Sequence, residues 1–142
     1  GVLRDGGGRV YPYLFWEGPT GADLSQGSGF VVARDDVVGF LEEKLALLGL
    51  DEREAADFIT YWAPRMRVNE YTLVSFDSGA YRDAARYTFT ADDGSVVEPD
   101  TFIRVFMTIS AASADTRVPE QVLDPAPART GFTAVEWGGA EL

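Results

Sequence analysis

Two glutamates stand beside tryptophans in ring-rich segments near opposite ends of the chain: Glu17 in Tyr11-Pro12-Tyr13-Leu14-Phe15-Trp16-Glu17-Gly18, and Glu136 in Ala134-Val135-Glu136-Trp137-Gly138-Gly139. Read as strands, the first segment sets Glu17 on one face with Tyr11, Tyr13 and Phe15, opposite Leu14 and Trp16. The second sets Glu136 with Phe132 and Ala134, opposite Val135 and Trp137. If these terminal strands pair, both tryptophans pack inward and both carboxyls emerge on one aromatic-lined face. Two close carboxyls cannot both ionise cheaply, so one would hold its proton and the two would form an acid–base couple. A glycosidase uses such a couple at a separation of roughly 5 to 10 Å. Arg104, which alternates with Phe102 and Phe106, offers the opposite outcome, because a guanidinium bridging the glutamates neutralises them and leaves sheet packing. The Tyr11/Tyr13/Phe15 face could also serve as a stacking platform for a sugar or a peptide. The candidate binding residues are therefore Tyr11, Tyr13, Phe15, Glu17, Arg104 and Glu136, with catalysis by Glu17 and Glu136 as the alternative.

Composition narrows the chemistry further. The 142 residues include no cysteine and no histidine. Thiol nucleophiles, disulfides, Ser-His-Asp triads and the usual zinc, copper and haem ligand sets are thereby excluded. Any proton transfer falls to carboxylates, tyrosines or Lys44, the one lysine beside eleven arginines. No metal site and no cofactor is expected. Asp92, Asp93, Glu98 and Asp100 gather around Gly94 but miss calcium-loop spacing, and Gly27-Ser28-Gly29 lacks the lysine and helix of a phosphate loop. A net charge of −11 repels phosphate backbones, which argues against nucleic acid and anionic lipid as partners. No apolar run approaches the ~20 residues of a membrane span, so no membrane insertion is expected.

The elements that must position these residues follow from period and punctuation. Residues 1–8 read as a flexible lead-in or linker, and residues 9–142 as a single α+β domain. Strands are expected at Arg9–Glu17, Phe30–Ala33, Glu70–Phe76, Tyr87–Ala91, Phe102–Ile109 and Gly131–Trp137. Val37, Leu41, Leu45 and Leu48 recur at helical spacing, with Asp35 or Asp36 as cap and Gly49 at the left-handed stop. Asp51 and Glu54 form a capping box for a second helix bearing Ala55, Phe58, Ile59 and Trp62, which Pro64 should end or kink. The proline-bearing stretch Ala111–Thr130 reads as a long connection. The expected fold is α+β: an antiparallel β-sheet or sandwich of about six strands with a helical hairpin inserted after the second.

Five blocks in this order, Tyr11–Gly18, Phe40–Leu50, Phe58–Pro64, Ile103–Met107 and Gly131–Gly139, resemble an uncharacterised domain of secreted or cell-surface proteins of Gram-positive bacteria. The likeness runs over about Val10 to Gly139. It implies an extracellular location and a place as one module of a larger protein; it carries no activity and no functional residue. A cysteine-free chain fits the cytoplasm equally well. The expectation is a non-catalytic extracellular module that supports or binds protein or glycan, with a carboxylate-based glycan hydrolase using Glu17 and Glu136 as the alternative. Oligomeric state is not legible in the sequence.

Overall fold

The computed structural model describes residues 2–77 and 79–142; Gly1, the first residue of the expected lead-in, lies outside them. Elements follow in the order β1 (Leu3–Arg4), β2 (Val10–Tyr11), β3 (Phe30–Ala33), α1 (Val37–Leu47), α2 (Glu52–Met66), β4 (Tyr71–Phe76), α3 (Ala80–Ala84), β5 (Thr101–Ala112) and β6 (Thr133–Glu141). Strands β3-β4-β5-β6 form one sheet in that order, and β1 with β2 a separate small hairpin. The class is α+β, as expected.

The helical hairpin forms where period and caps place it. Gly49 sits at φ +92°, the left-handed region that favours glycine. The Leu50 N–H donates to the Leu45 carbonyl at 3.0 Å and the Gly49 N–H to Ala46 at 3.2 Å, closing a Schellman motif. Asp51 then accepts from the N–H groups of Arg53 and Glu54 while Glu54 accepts from the Asp51 N–H, a complete capping box. Asp36 holds the α1 N-cap position without a side-chain cap bond, because a 3₁₀ turn over Arg34–Asp36 leads into the helix. Helix α2 runs through Pro64 to Met66 rather than ending at Ala63. Pro64 and Thr60 are both exposed, so the carbonyl that proline leaves without a donor lies on the wet side, while Ala63 and Met66 stay buried.

The sheet corrects three expectations. Strands β3–β4 and β4–β5 are antiparallel, but β5 and β6 are parallel, in register from Thr101↔Thr133 to Ile109↔Glu141. Alternation reports which face a side chain takes and is silent on strand direction. A parallel neighbour needs a long return, and residues 113–132 supply it. That return bonds to Gly29 just ahead of β3, meets the end of α1 through the Ala126 N–H and Leu47 carbonyl, and clasps the hairpin turn through Arg129 on Gly49 and Glu54. The second correction is Arg9–Glu17, where only Val10–Tyr11 is strand, paired with Leu3–Arg4. The terminal strands therefore do not pair, and residues 3–11 hold a small hairpin. Tyr87–Ala91 likewise forms no strand, only a Thr90↔Val96 bridge.

One face of the sheet meets the helices. Val32, Val74, Phe76, Ile103, Val105, Met107 and Ile109 bury against Val37, Leu41, Leu45, Phe58, Trp62 and Met66, with Val135 and Trp137 at the margin. The other face is covered by irregular chain. Ser75 donates to the Ser28 carbonyl, and the Gln26 amide donates to the Leu73 and Thr108 carbonyls at 3.1 and 3.0 Å.

Consecutive glycines in β6 separate two packing demands. A Cβ on Gly139 would strike the Met107 carbonyl and stand 2.7 Å from Trp62 Cζ2; on Gly138 it would meet only Phe106, at 4.0 Å. Gly139→Ala should destabilise the fold by about 2–3 kcal/mol and Gly138→Ala by well under about 1 kcal/mol, read from denaturant midpoints at constant m.

Candidate functional site

Arg104 and Glu136 are direct partners in the parallel register of β5 and β6, so their side chains rise together from the face away from the helices. Arg104 Nε donates to Glu136 Oε2 at 2.6 Å, with side chains only 9% and 14% exposed. A charge pair so little hydrated survives only if its polar atoms find partners. Each nitrogen and each oxygen of the pair has at least one. Arg104 donates to the Ala85 carbonyl at 2.7 Å and the Arg82 carbonyl at 3.3 Å, and Glu136 Oε1 accepts the Tyr81 and Tyr87 hydroxyls at 2.6 and 2.5 Å.

The chain between β4 and β5 delivers those groups. Asp77 accepts from the Tyr81 and Arg82 N–H groups at 2.9 and 3.3 Å, starting the short helix α3 and turning Tyr81 down onto the sheet. There its ring stacks on Phe106, centroids 3.8 Å apart. Tyr87 and Phe89 both pack edge-on against Phe102, and Phe89 meets Phe132 as well. The Arg104 guanidinium carbon lies 5.1 to 5.4 Å from the rings of Tyr81, Tyr87 and Phe102, within cation–π range. Helix α3 and the part of Tyr87 were missed in sequence; an aspartate ahead of a short alanine-rich run was the available signal.

The amino-terminal aromatic segment attaches to this centre through Trp16, whose indole N–H donates to the Tyr87 hydroxyl at 2.6 Å. Tyr13 packs on Trp137 with centroids 6.2 Å apart, and Trp137 in turn meets Phe58 of α2. Tyr13 thus lies on the helix side of β6 and Trp16 on the opposite side, so the segment passes around the outer edge of that strand. Between these anchors Leu14 is 69% and Phe15 76% exposed. The expected common face of Tyr11, Tyr13, Phe15 and Glu17 does not form, because there is no strand to set their parity. Tyr11 donates to Asp5 within the small hairpin. Glu17 is exposed and enters no hydrogen bond or ion pair among the described residues.

The structure therefore joins Arg104 to Glu136 and does not couple Glu17 to either. A general acid or base must present its carboxyl to a substrate, and Glu136 presents its oxygens to two phenols and a guanidinium. Hydrolysis through Glu17 and Glu136 finds no support in this geometry. Asp93 spends its carboxylate on the Ser95 N–H and hydroxyl, and Asp100 on the Phe132 N–H. No cluster of three or more carboxylates with metal-binding geometry forms among the described residues.

Burial pushes both tyrosine hydroxyls above the ordinary phenol value, and donation to Glu136 adds to the shift. Tyr87 is pushed up to about 12. The chain matches no protein-family model, no curated protein and no solved structure.

Two predictions follow the chemistry of this centre. Glu136→Gln should destabilise the fold by about 3 kcal/mol, because it leaves Arg104 buried without its counter-charge, and chemical denaturation reads the loss. The raised tyrosines stabilise the fold while protonated: both contributions are whole below pH about 10, that of Tyr87 disappears as pH rises through about 12, and that of Tyr81, pushed up further, declines over the same interval and is lost at higher pH. Stability measured over that interval should fall more steeply for the wild type than for a Tyr81→Phe/Tyr87→Phe double variant; parallel curves would refute the assignment.

Proposed function

We propose that this chain is a non-catalytic extracellular module of a bacterial surface protein that makes contacts with protein or glycan through its amino-terminal aromatic segment. The observation that carries this proposal is the state of four consecutive large side chains. Tyr13, Leu14, Phe15 and Trp16 are each more than half exposed, although Tyr13 and Trp16 are fixed on the sheet by Trp137 and Tyr87. Four adjacent exposed residues of this size are unfavourable in water unless something covers them. Their anchoring lowers the entropy lost when a partner arrives, because the strip is already held in place. Aromatic faces stack on sugar rings and on peptide side chains alike, which leaves both ligand classes open.

The likeness of the five sequence blocks to a domain of Gram-positive surface proteins supports the extracellular placement. The filled hydrogen bonding at Arg104 and Glu136 supports a non-catalytic part for that pair: it fixes Tyr87, which fixes Trp16, which presents the strip.

Retention on insoluble bacterial cell-wall glycan and on immobilised host-surface protein tests the proposal directly. Phe15→Ala should weaken retention about tenfold, with Tm unchanged because the side chain is 76% exposed. Retention on neither material, or equal retention of wild type and variant, would reduce the chain to a spacer.

A further inference from the structure

At the far side of the sheet from the aromatic strip, strand β3 has an edge that is only partly occupied. Its ladder with β4 uses Phe30 and Val32, and the series continues at Arg34, whose N–H donates to the Glu70 carbonyl at 2.9 Å. Gly29, Val31 and Ala33 therefore turn their backbone groups outward. Gly29 is satisfied, its N–H donating to the Pro119 carbonyl at 2.9 Å and its carbonyl accepting from Gln121 at 3.3 Å. The Ala33 carbonyl faces the 3₁₀ turn that begins at Arg34. The N–H and carbonyl of Val31 and the N–H of Ala33 have no partner among the described residues.

These three groups line a groove of about 440 Å³, walled on one side by Asp36 ahead of α1 with Phe40 and Lys44 of α1, and on the other by Arg117, Val118 and Glu120 of the long return. Lys44 also lines the adjoining hollow of about 290 Å³ at the Gly29 end. It is the one lysine of the chain. Its ammonium lies 5.0 and 5.8 Å over the rings of Phe30 and Phe40, and its side chain is only 18% exposed. Its ion partner, Glu43, is 72% exposed, and a pair of that kind is weak and readily exchanged.

From the free edge and the lysine beside it we infer that this groove binds an extended peptide segment of a partner protein, added as a strand along β3 and carrying an acidic side chain opposite Lys44. The occupant must be polypeptide, since only an extended backbone offers alternating acceptors and donors at the spacing of Val31 and Ala33. Phe40 and Val118 favour an apolar residue beside the acidic one. The edge is short, which limits how much strand can be added, but β3 carries no charge, proline or bulge of its own to block addition. This site is independent of the strip at Tyr13–Trp16, which borders β6 at the opposite edge.

The backbone supplies a clean test. Ala33 has φ −70° and ψ 149°, the values proline adopts, and its N–H points into the groove. Ala33→Pro therefore deletes one of the free donors without breaking a ladder bond, and should leave Tm unchanged or slightly raised. A displayed library of random peptides would be selected on the wild-type chain, and enriched peptides synthesised for fluorescence polarisation. Enriched peptides should share an acidic residue among β-branched ones, lose about tenfold or more in affinity for Ala33→Pro, and bind Lys44→Gln more weakly and with less salt dependence. Methylation of the peptide backbone nitrogens should also weaken binding to the wild type. If Ala33→Pro lowers Tm, the N-methylated peptide decides instead: unchanged affinity overturns strand addition. Failure to enrich any peptide over an Ala33→Pro bait overturns the inference, as does equal affinity for wild type and Ala33→Pro. So does a wild-type dimer in sedimentation that Ala33→Pro converts to monomer, which would make the occupant a second copy of this chain.

Discussion

The pairing of Arg104 with Glu136 is the constraint around which one whole face of this protein is arranged. Parallel register puts the two side chains adjacent on the non-helical face, where Arg104 alternates with Phe102 and Phe106 along β5. Burying a guanidinium and a carboxylate is unfavourable until their polar atoms have partners. Two strands alone cannot supply them. The chain from Asp77 to Tyr87 does so, giving two backbone carbonyls to Arg104 and two phenols to Glu136. A segment with little regular structure is thereby held in one position by polar bonds rather than by a ladder. Trp16 then takes its own place from Tyr87, so the position of an exposed amino-terminal strip depends on an ion pair between the last two strands.

The same parallel pairing governs the connection that precedes β6. An antiparallel β6 could follow β5 by a short hairpin; a parallel one must return along the length of the sheet. The return over residues 113–132 is not idle chain. Gln121 meets both backbone groups of Phe76, its amide donating to the carbonyl at 2.6 Å and accepting from the N–H at 2.8 Å, where β3 has already ended. Arg129 reaches Gly49 and Glu54 and so ties the helical hairpin to the strand it precedes. Its hydrogen bond to Glu54 raises the guanidinium pKa, consistent with a permanent charge at that turn. Glu54 thus serves both the capping box of α2 and the closure of the crossover.

What the sequence discloses here is what local chemistry decides. The hairpin of α1 and α2 was legible to its caps, because Gly49, Asp51 and Glu54 act on backbone groups a few residues away. The faces of β5 and β6 were legible too: Ile103, Val105 and Met107 go to the core, and Trp137 opposes Glu136. Strand direction was not legible, since alternation is the same for either sense. The rings of Tyr87 and Phe89 alternate as a half-buried strand does, yet they are satisfied by packing on Phe102 and Phe132 without a ladder partner. Tyr11 to Glu17 misled for a related reason. Rings and β propensity suggested a strand, but a strand exists only beside another, and the pairing with Leu3–Arg4 covers Val10–Tyr11 alone.

The two sheet edges finally show opposite solutions to one problem. An edge strand carries unpaired amides that invite another strand. At β6 the polypeptide itself crosses the edge, with Tyr13 on one face and Trp16 on the other, and an arriving strand would have to displace both. At β3 the backbone hydrogen bonds of the return among the described residues fall at Gly29, just ahead of the strand, and the chain then leaves for the end of α1. A Cβ at Gly29 would stand 2.6 Å from Ser75 Oγ and would also strike the Val74 carbonyl, so glycine is what lets the chain entering β3 lie this close to β4 while it bonds to the return. Beyond that contact the short strand ends in a 3₁₀ turn, which consumes the Ala33 carbonyl and limits any added strand to a few residues. Recognition along so short an edge must draw its selectivity from side chains, and Lys44 is the charged group of α1 placed within the hollow to provide it.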